Sequence, residues 1–352
     1  RQMCIRDSIC TNALPSDMQE VFSDCRTIET GLKHGTLTVI IDRNAVEITS
    51  YRSDGNYADH RRPQSVEFIS DLKGDLERRD FTINAMCYNP KQGLIDIFGG
   101  ANDLDKKIIR CVGEPRKRFK EDALRILRAI RFASVLGFEL EKNTKESVFA
   151  EKELLHCISA ERIFSELKKL VCGKDAAEIL LEYGEVIGVF IPEILQCIGF
   201  RQNNPHHCFT VWEHICRSVG YCRPEPAIRL TMLLHDIAKP KMAVTDENGV
   251  DHFKKHQFAG AEISAEILHR LHCDNMSLRY IHDLIYEHDN RIPAERKAVK
   301  RFISKYSFDF FMDYLEVRRA DTYAQSDYKK AEKLKNLDEL ALILSLIHIS
   351  EP

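Results

Sequence analysis

The spacing of apolar and polar positions divides the chain into three textures. Residues 36–41 (TLTVII) and 46–51 (VEITSY) are rich in β-branched side chains and flank Asp42-Arg43-Asn44-Ala45, which predicts a hairpin. Residues 94–98 (LIDIF), ending in Gly99-Gly100, predict another short strand. From about Leu104 the period lengthens. Ala123, Ile126, Leu127 and Ile130 fall at i, i+3, i+4 and i+7 with arginines between them, as on a helix with one buried face. Segments 160–172 and 176–183 continue that texture, Ile191-Pro192-Glu193 and Asn203-Asn204-Pro205 break it, and histidines become dense after the second break. The expected organisation is α+β: a mixed head over 9–105, a helical neck over 106–200 and a His-rich helical domain over 201–343.

Composition narrows the class. The chain has 352 residues, 44% hydrophobic and 30% charged, which is ordinary globular composition with length for two or three domains. No apolar run approaches the ~20 residues that span a bilayer, so no membrane partner is expected. The twelve cysteines are scattered without a C-x-x-C pair, which points to reduced thiols of a cytoplasmic protein rather than a zinc site or a disulfide framework. A net charge of −3 excludes a uniformly basic nucleic-acid binder. Between Lys106 and Arg131, however, ten Lys/Arg face only Glu114, Glu121 and Asp122. This patch, with Arg116, Lys117, Arg118 and Lys120 at its centre, suits RNA phosphates or else a solvated helix face.

The two ends share a pattern of their own. Gln2 to Asp7 can be encoded by cag-atg-tgt-ata-aga-gac, and the reverse complement of that element, extended by ag, reads Leu-Ser-Leu-Ile-His-Ile, the sequence at Leu344 to Ile349. The element resembles a transposase adapter used in sequencing libraries. Residues 1–8 and 344–352 are therefore set aside as expected scars, and the native protein is expected to run past both ends.

Three clusters carry candidate chemistry in the first half. They are Arg78-Arg79-Asp80-Phe81-Thr82-Ile83-Asn84, then Asp96-Ile97-Phe98-Gly99-Gly100-Ala101-Asn102-Asp103, then Glu121-Asp122-Ala123-Leu124-Arg125-Ile126-Leu127-Arg128. The third is expected to place Asp122, Arg125 and Arg128 along one helix side, a carboxylate beside guanidinium donors suited to reading a base edge. The glycines of the second permit a tight turn and close backbone approach. The first offers donors for phosphate or ribose. Taken singly, each is also the wording of an ordinary charged loop, turn or helix start.

Their order and spacing, with Thr30 to Thr36 and Glu47 to Arg52 upstream, resemble the class II tRNA nucleotidyltransferase and poly(A) polymerase family. The resemblance covers residues 9–200. It implies a polymerase-β-like nucleotidyltransferase head, partial here, and a tRNA partner extended with CTP and ATP at its 3′ CCA end. In that family Arg78, Asp80 and Asn84 match the motif that handles ribose and triphosphate. Asp96, Gly99, Gly100 and Asp103 match the element coupling head to neck. Asp122 and Arg125, with Arg128, match the amino-acid template for the incoming base. One departure is serious. The family carries a Gly-Ser loop and an Asp-x-Asp pair, which holds Mg²⁺, ahead of the point matching Ile9. This chain has no Gly-Ser, and its only Asp-x-Asp is Asp103-Leu104-Asp105. Glu47 remains as the one acidic candidate near the metals. Poly(A) polymerase or partial CC- or A-addition shares the same motifs, and this chain itself is expected to be nearly inactive in transfer.

In the last third, Leu233-Leu234-His235-Asp236 ends an apolar helical run with an adjacent imidazole and carboxylate. With His214 and Asp321 from other helices, the set suits a divalent metal of the Mg²⁺, Mn²⁺, Fe, Co²⁺ or Ni²⁺ type. The pattern His214…His235-Asp236…Asp321 resembles the HD phosphohydrolase superfamily. That implies metal-assisted attack of water on a phosphate ester, with His256 and His288 where some members add a second metal and Lys239 as a phosphate contact. A free-standing phosphoester hydrolase, with a regulatory head, is the third reading.

Overall fold

A computed structural model of the chain describes residues 9–55 and 66–350; the N-terminal segment set aside above, 1–8, lies outside them. The described chain is a mixed α/β head with many helices after it, arranged as two compact units. One comprises residues up to Ala129 together with Phe138–Ile158, the other Ile130–Gly137 together with Ser159 onward. The segment expected as neck contributes to both.

The first unit is built on a four-stranded sheet of β1 (Ile9–Thr11), β2 (Arg26–Ile28), β3 (Thr36–Ile41) and β4 (Asn44–Ser50), ordered β1-β4-β3-β2. The predicted hairpin is β3–β4, but its turn is shorter than expected. Ile41 pairs with Asn44, and only Asp42 and Arg43 turn, both at positive φ (49° and 68°). Two left-handed residues match the twist of the flanking strands, so pairing continues to the loop itself. β1 runs parallel to β4. Leu37, Val39 and Ile48 point to one face and bury with Met18 of the helix Pro15–Val21. Burying such side chains stabilises by about 1.5–3 kcal/mol each.

Smaller pairs follow: β5 (Arg52–Asp54) with β6 (Val66–Phe68), and β7 (Cys87–Asn89) with β8 (Gly93–Ile95). The strand predicted over 94–98 is therefore cut at Ile95. Asp96 turns out of it because its carboxylate accepts the backbone N–H groups of Gly100 (2.7 Å) and Ala101 (2.9 Å), starting the helix Gly100–Asp105. The stretch expected to be all-helical also contains a parallel pair, β9 (Ile108–Ile109) with β10 (Glu139–Leu140).

The second unit is helical apart from the short pair β11 (Val244–Thr245) and β12 (Asp251–His252). Its last helix, Lys330–Ser350, runs through the segment set aside from Leu344 onward. Leu337, Leu340, Leu344 and Ile347 are all buried at spacings of three and four, so one apolar stripe crosses that boundary and the helix with it. No helix among the described residues is long and apolar enough to cross a membrane.

Candidate functional site

In the first unit the three clusters close on one another. The helix Leu72–Glu77, capped by Asp71, delivers Asp75 into the interior at 1% exposure. Asp75 receives Arg78 (2.7 Å) and Arg79 (3.2 Å), three and four residues on. Arg78 also donates through Nε to the Arg52 carbonyl (3.0 Å). Asp75 was not singled out from the sequence, although its helical spacing to two arginines was the available signal.

Asp80 accepts from the Phe81 N–H (2.9 Å), Asn84 Nδ2 (3.2 Å) and Arg128 Nε (2.7 Å). Burial alone would raise its carboxyl, but the Arg128 charge and these hydrogen bonds outweigh it and hold the group below the usual range. A depressed carboxyl contributes stability that is present above its unfolded value near 4 and is lost as pH falls through the folded value. Asp80→Asn is therefore expected to cost about 1–3 kcal/mol at pH 7. Urea melts should show that difference shrinking toward pH 3; a pH-independent difference would remove the ionic assignment.

Asp122 corrects the expectation of one continuous helix side. The helix Pro115–Glu121 stops there, Asp122 is extended (φ −136°, ψ 104°), and its Oδ1 accepts the Leu124 N–H (3.1 Å) at the start of the helix Leu124–Leu136. A short acceptor side chain that satisfies a helix-start N–H competes with helix continuation, which is why the residue forms a joint. Arg125 lies just beyond it and is buried. Its Nη1 donates to Glu121 (2.8 Å) and the Arg118 carbonyl (3.2 Å), and its Nη2 to the Arg78 carbonyl (2.8 Å).

The glycine cluster braces the same loop. Gly99 is left-handed (φ 75°), and a Cβ on Gly100 would meet the Thr82 carbonyl oxygen at 2.3 Å. Asp103 is buried and accepts from Thr82 Oγ1 (2.7 Å) and Arg110 Nε (3.0 Å). Asp103 thus braces the loop, while Asp105 two residues on is exposed. Glu47 sits half-buried in β4, opposite Thr38. Of the four basic residues expected on the RNA face, Arg116, Lys117 and Lys120 are exposed, while Arg118 turns inward to Glu121 (2.8 Å).

The second unit brings all six expected ligands together. His214 lies on the helix Val211–Tyr221, whose start is set by a capping box between Thr210 and Glu213. His235 and Asp236 follow the helix Pro226–Leu234, His256 opens the helix His256–Arg270, His288 caps Asn275–Glu287, and Asp321 is in the last turn of Phe308–Tyr323. They form two groups sharing Asp236. His214, His235, Asp236 and Asp321 make one; Asp236, His256 and His288 make the other. Asp236 Oδ2 faces His214 (3.2 Å) and His235 (3.3 Å), and Oδ1 faces His256 (3.3 Å) and His288 (3.8 Å).

The imidazoles themselves show what the site is built to hold. Each gives Nδ1 to a backbone carbonyl: His214 to Ala324 (3.1 Å), His235 to Met232 (2.8 Å), His256 to Phe253 (2.7 Å) and His288 to Ile285 (2.6 Å). A carbonyl only accepts, so the proton is on Nδ1 and the Nε2 lone pairs point inward. Yet His214 Nε2 lies 3.2 Å from His235 Nε2, and His256 Nε2 lies 3.2 Å from His288 Nε2. Two acceptors so close need a cation between them. Without metal a proton serves: burial opposes it, but Asp236 and Asp321 push His214 up to about 9. A divalent ion in each group fits the donor set better, with the carbonyls fixing ring orientation as outer-shell partners.

Lys239 is buried with its ammonium 2.6 Å from Asp236 Oδ2 and donates to Gln202 Oε1 (3.0 Å), with His207 Nε2 at 3.3 Å. Gln202 and His207 were missed from the sequence, which has no periodic signal in that loop. Gln325 was missed too; it donates to both oxygens of Asp321 (3.0 Å each).

Residues 6–110 match the family model of the poly A polymerase head domain, 137–196 that of the probable RNA and SrmB-binding site of polymerase A, and 206–347 that of the HD domain. The chain is 46% identical over 244 residues to a CCA-adding enzyme of Geobacillus stearothermophilus, covering 67% of this chain and 60% of that protein. It is 45% identical over 189 residues to one from Geobacillus thermodenitrificans, covering 53% and 46%. The chain thus spans about half the length of the curated relatives it matches. Among solved structures it is similar to the Bacillus stearothermophilus CCA-adding enzyme in complex with CTP, with TM-score 0.66, 27% identity, and coverage of 93% of this chain and 72% of that one. Along the chain, in order, lie matches to a poly A polymerase head domain, an RNA-binding segment of polymerase A and an HD domain, and the chain is similar to CCA-adding enzymes.

Proposed function

We propose that the chain is the core of an enzyme that adds or repairs the 3′-terminal CCA of tRNA, using CTP and ATP, and that its HD domain is a metal-dependent phosphohydrolase. The observation that carries the transferase reading is the closure of the three clusters. Arg125 grips Glu121 and the Arg78 carbonyl while Arg128 grips Asp80, so template and triphosphate loop form one rigid frame. A frame held by fixed guanidinium forks suits base selection by protein. In it Asp122 and Arg125 read the base edge, Arg78, Asp80 and Asn84 handle ribose and phosphates, and the exposed Arg116, Lys117 and Lys120 meet the tRNA backbone. Mg²⁺ is the proposed ion of the transfer reaction. No group of three or more metal-ligating residues occurs in this unit among the described residues.

In the HD domain, His214, His235, Asp236 and Asp321 would hold one divalent ion and Asp236, His256 and His288 a second. Such ions, when bound, supply Lewis acidity and activate water toward a phosphate ester. The chain's own contribution is orientation. The carbonyls of Ala324, Met232, Phe253 and Ile285 lock the rings, and Lys239 places a buried cation beside Asp236, where the ester's charge would be met.

The test is incorporation into tRNA lacking its 3′ end, with CTP and ATP supplied separately and together. The full-length protein should add two C and one A in order. Unlimited A addition would indicate a poly(A) polymerase; no addition, with metal-dependent ester cleavage, would leave the HD domain as the working part. The 352-residue chain, which has no Asp-x-Asp other than the Asp103 brace, should transfer on the order of 10³-fold less. Robust incorporation by this chain would overturn that expectation.

A further inference from the structure

Cys10 and Cys87 are 77 positions apart in the sequence, yet their Sγ atoms lie 3.5 Å from one another. Cys10 is the central residue of β1, opposite Thr49 of β4. Cys87 opens β7, immediately after the Arg78–Asn84 loop, and packs against the core of Leu76, Ala85 and Val112. Both are half-buried, so a small reagent can reach them while the chain stays folded. At 3.5 Å two thiols are in contact, and a disulfide of about 2.05 Å needs only ~1.5 Å of approach.

The surroundings favour reaction at Cys10. Arg79 is anchored to Asp75 and to the Asn84 carbonyl (3.0 Å) and faces the Cys10 thiol. The hydrogen bond from Cys87 brings Cys10 down to about 6, against burial and with the help of Arg79, while the same contact pushes Cys87 up. One partner is thus the nucleophile and the other the resolving thiol, the arrangement of redox-responsive pairs.

We propose that Cys10 and Cys87 form a reversible disulfide under peroxide, tying β1 to β7 inside the nucleotide-handling unit. The Cys10 thiolate attacks the O–O bond of hydrogen peroxide, giving a sulfenic acid and, after proton uptake, water. Cys87 sulfur then attacks Cys10 sulfur; the S–S bond forms, the S–O bond breaks, and the hydroxide leaves as water with the Cys87 proton. Two thiols are oxidised and one peroxide is reduced to two waters. The tie joins the strand beside β4 to β7, which follows the loop that carries Arg78, Asp80 and Asn84.

The experiment treats the reduced full chain with hydrogen peroxide, alkylates remaining thiols, digests without reductant and maps linked peptides by mass spectrometry. A Cys10–Cys87 peptide should dominate over every other pairing, and dithiothreitol should return both thiols. In Cys87→Ser, dimedone should trap Cys10 as the sulfenic acid roughly tenfold or more ahead of the exposed Cys25, Cys157 and Cys208. Complete alkylation of Cys10 and Cys87 while those exposed cysteines oxidise would overturn the proposal, as would intermolecular linkage only. The wild-type map decides the matter even if the variant folds poorly.

Discussion

Asp236→Asn is expected to empty both metal positions of the HD domain, whereas His235→Ala empties only one. Asp236 is the sole residue common to the two ligand groups, giving Oδ2 to one and Oδ1 to the other. The amide keeps the shape but presents one neutral acceptor and one N–H₂ where two anionic oxygens stood, so neither group retains a bridging carboxylate. His235→Ala leaves Asp236, His256 and His288 untouched. Metal counted by elemental analysis after gel filtration should therefore fall from two ions per chain to near none in the first variant and to one in the second. Metal-dependent phosphoester hydrolysis should drop by on the order of 10³-fold in the Asp236 variant. A linked effect is thermal. Chelator should lower the wild-type melting temperature but leave that of the Asp236 variant unchanged, because only a bound ion stabilises the fold by mass action. Equal metal content in both variants and the wild type would sink the two-ion assignment; loss of both ions in His235→Ala would reduce it to one cooperative site.

The convergence of the six candidate ligands was legible because an adjacent His-Asp at the end of an apolar helix is a rare wording, and because side chains near helix ends converge without any long-range register to work out. The β3–β4 hairpin was legible from its β-branched runs. The joint at Asp122 was not. Its neighbours Ala123, Ile126, Leu127 and Ile130 keep helical spacing and are all buried, and the break comes from one side-chain hydrogen bond to the Leu124 N–H that periodicity cannot see. Arg118 shows the same limit: charge counting places it on an RNA face, while a 2.8 Å contact with Glu121 draws it inside. The β9–β10 pair joins residues about thirty positions apart through two-residue strands, too short for a period-two signal. Pairings between sequence-distant residues, Arg128 with Asp80 and Arg125 with the Arg78 carbonyl, appear only once the chain is folded.

Those pairings make Arg125→Ala the substitution with the largest expected effect on the first unit. The side chain is nearly buried, and its fork satisfies three acceptors at once: Glu121, the Arg118 carbonyl and the Arg78 carbonyl. Alanine removes these donors, opens a cavity and leaves Glu121 to Arg118 alone. Breaking a buried, hydrogen-bonded charge pair costs about 3–5 kcal/mol, a large part of a domain's stability. The cost should appear as an early transition in urea melts followed by a probe in the head. The HD domain should hold its metal, because its ligands all belong to the other compact unit. CTP affinity, measured by calorimetry on the fraction still folded, should fall at least about tenfold if the proposed function holds, since the Arg78 carbonyl loses the donor that fixes the Arg78–Asn84 loop against the Glu121–Arg128 segment. Arg125→Lys discriminates charge from geometry. A single ammonium can meet Glu121 or the Arg78 carbonyl but cannot fork between them, so lysine should recover less than half of the lost stability and little of the CTP affinity. A lysine variant that behaves as wild type would show that charge alone suffices; an alanine variant with unaltered melting and CTP binding would remove Arg125 from the frame altogether.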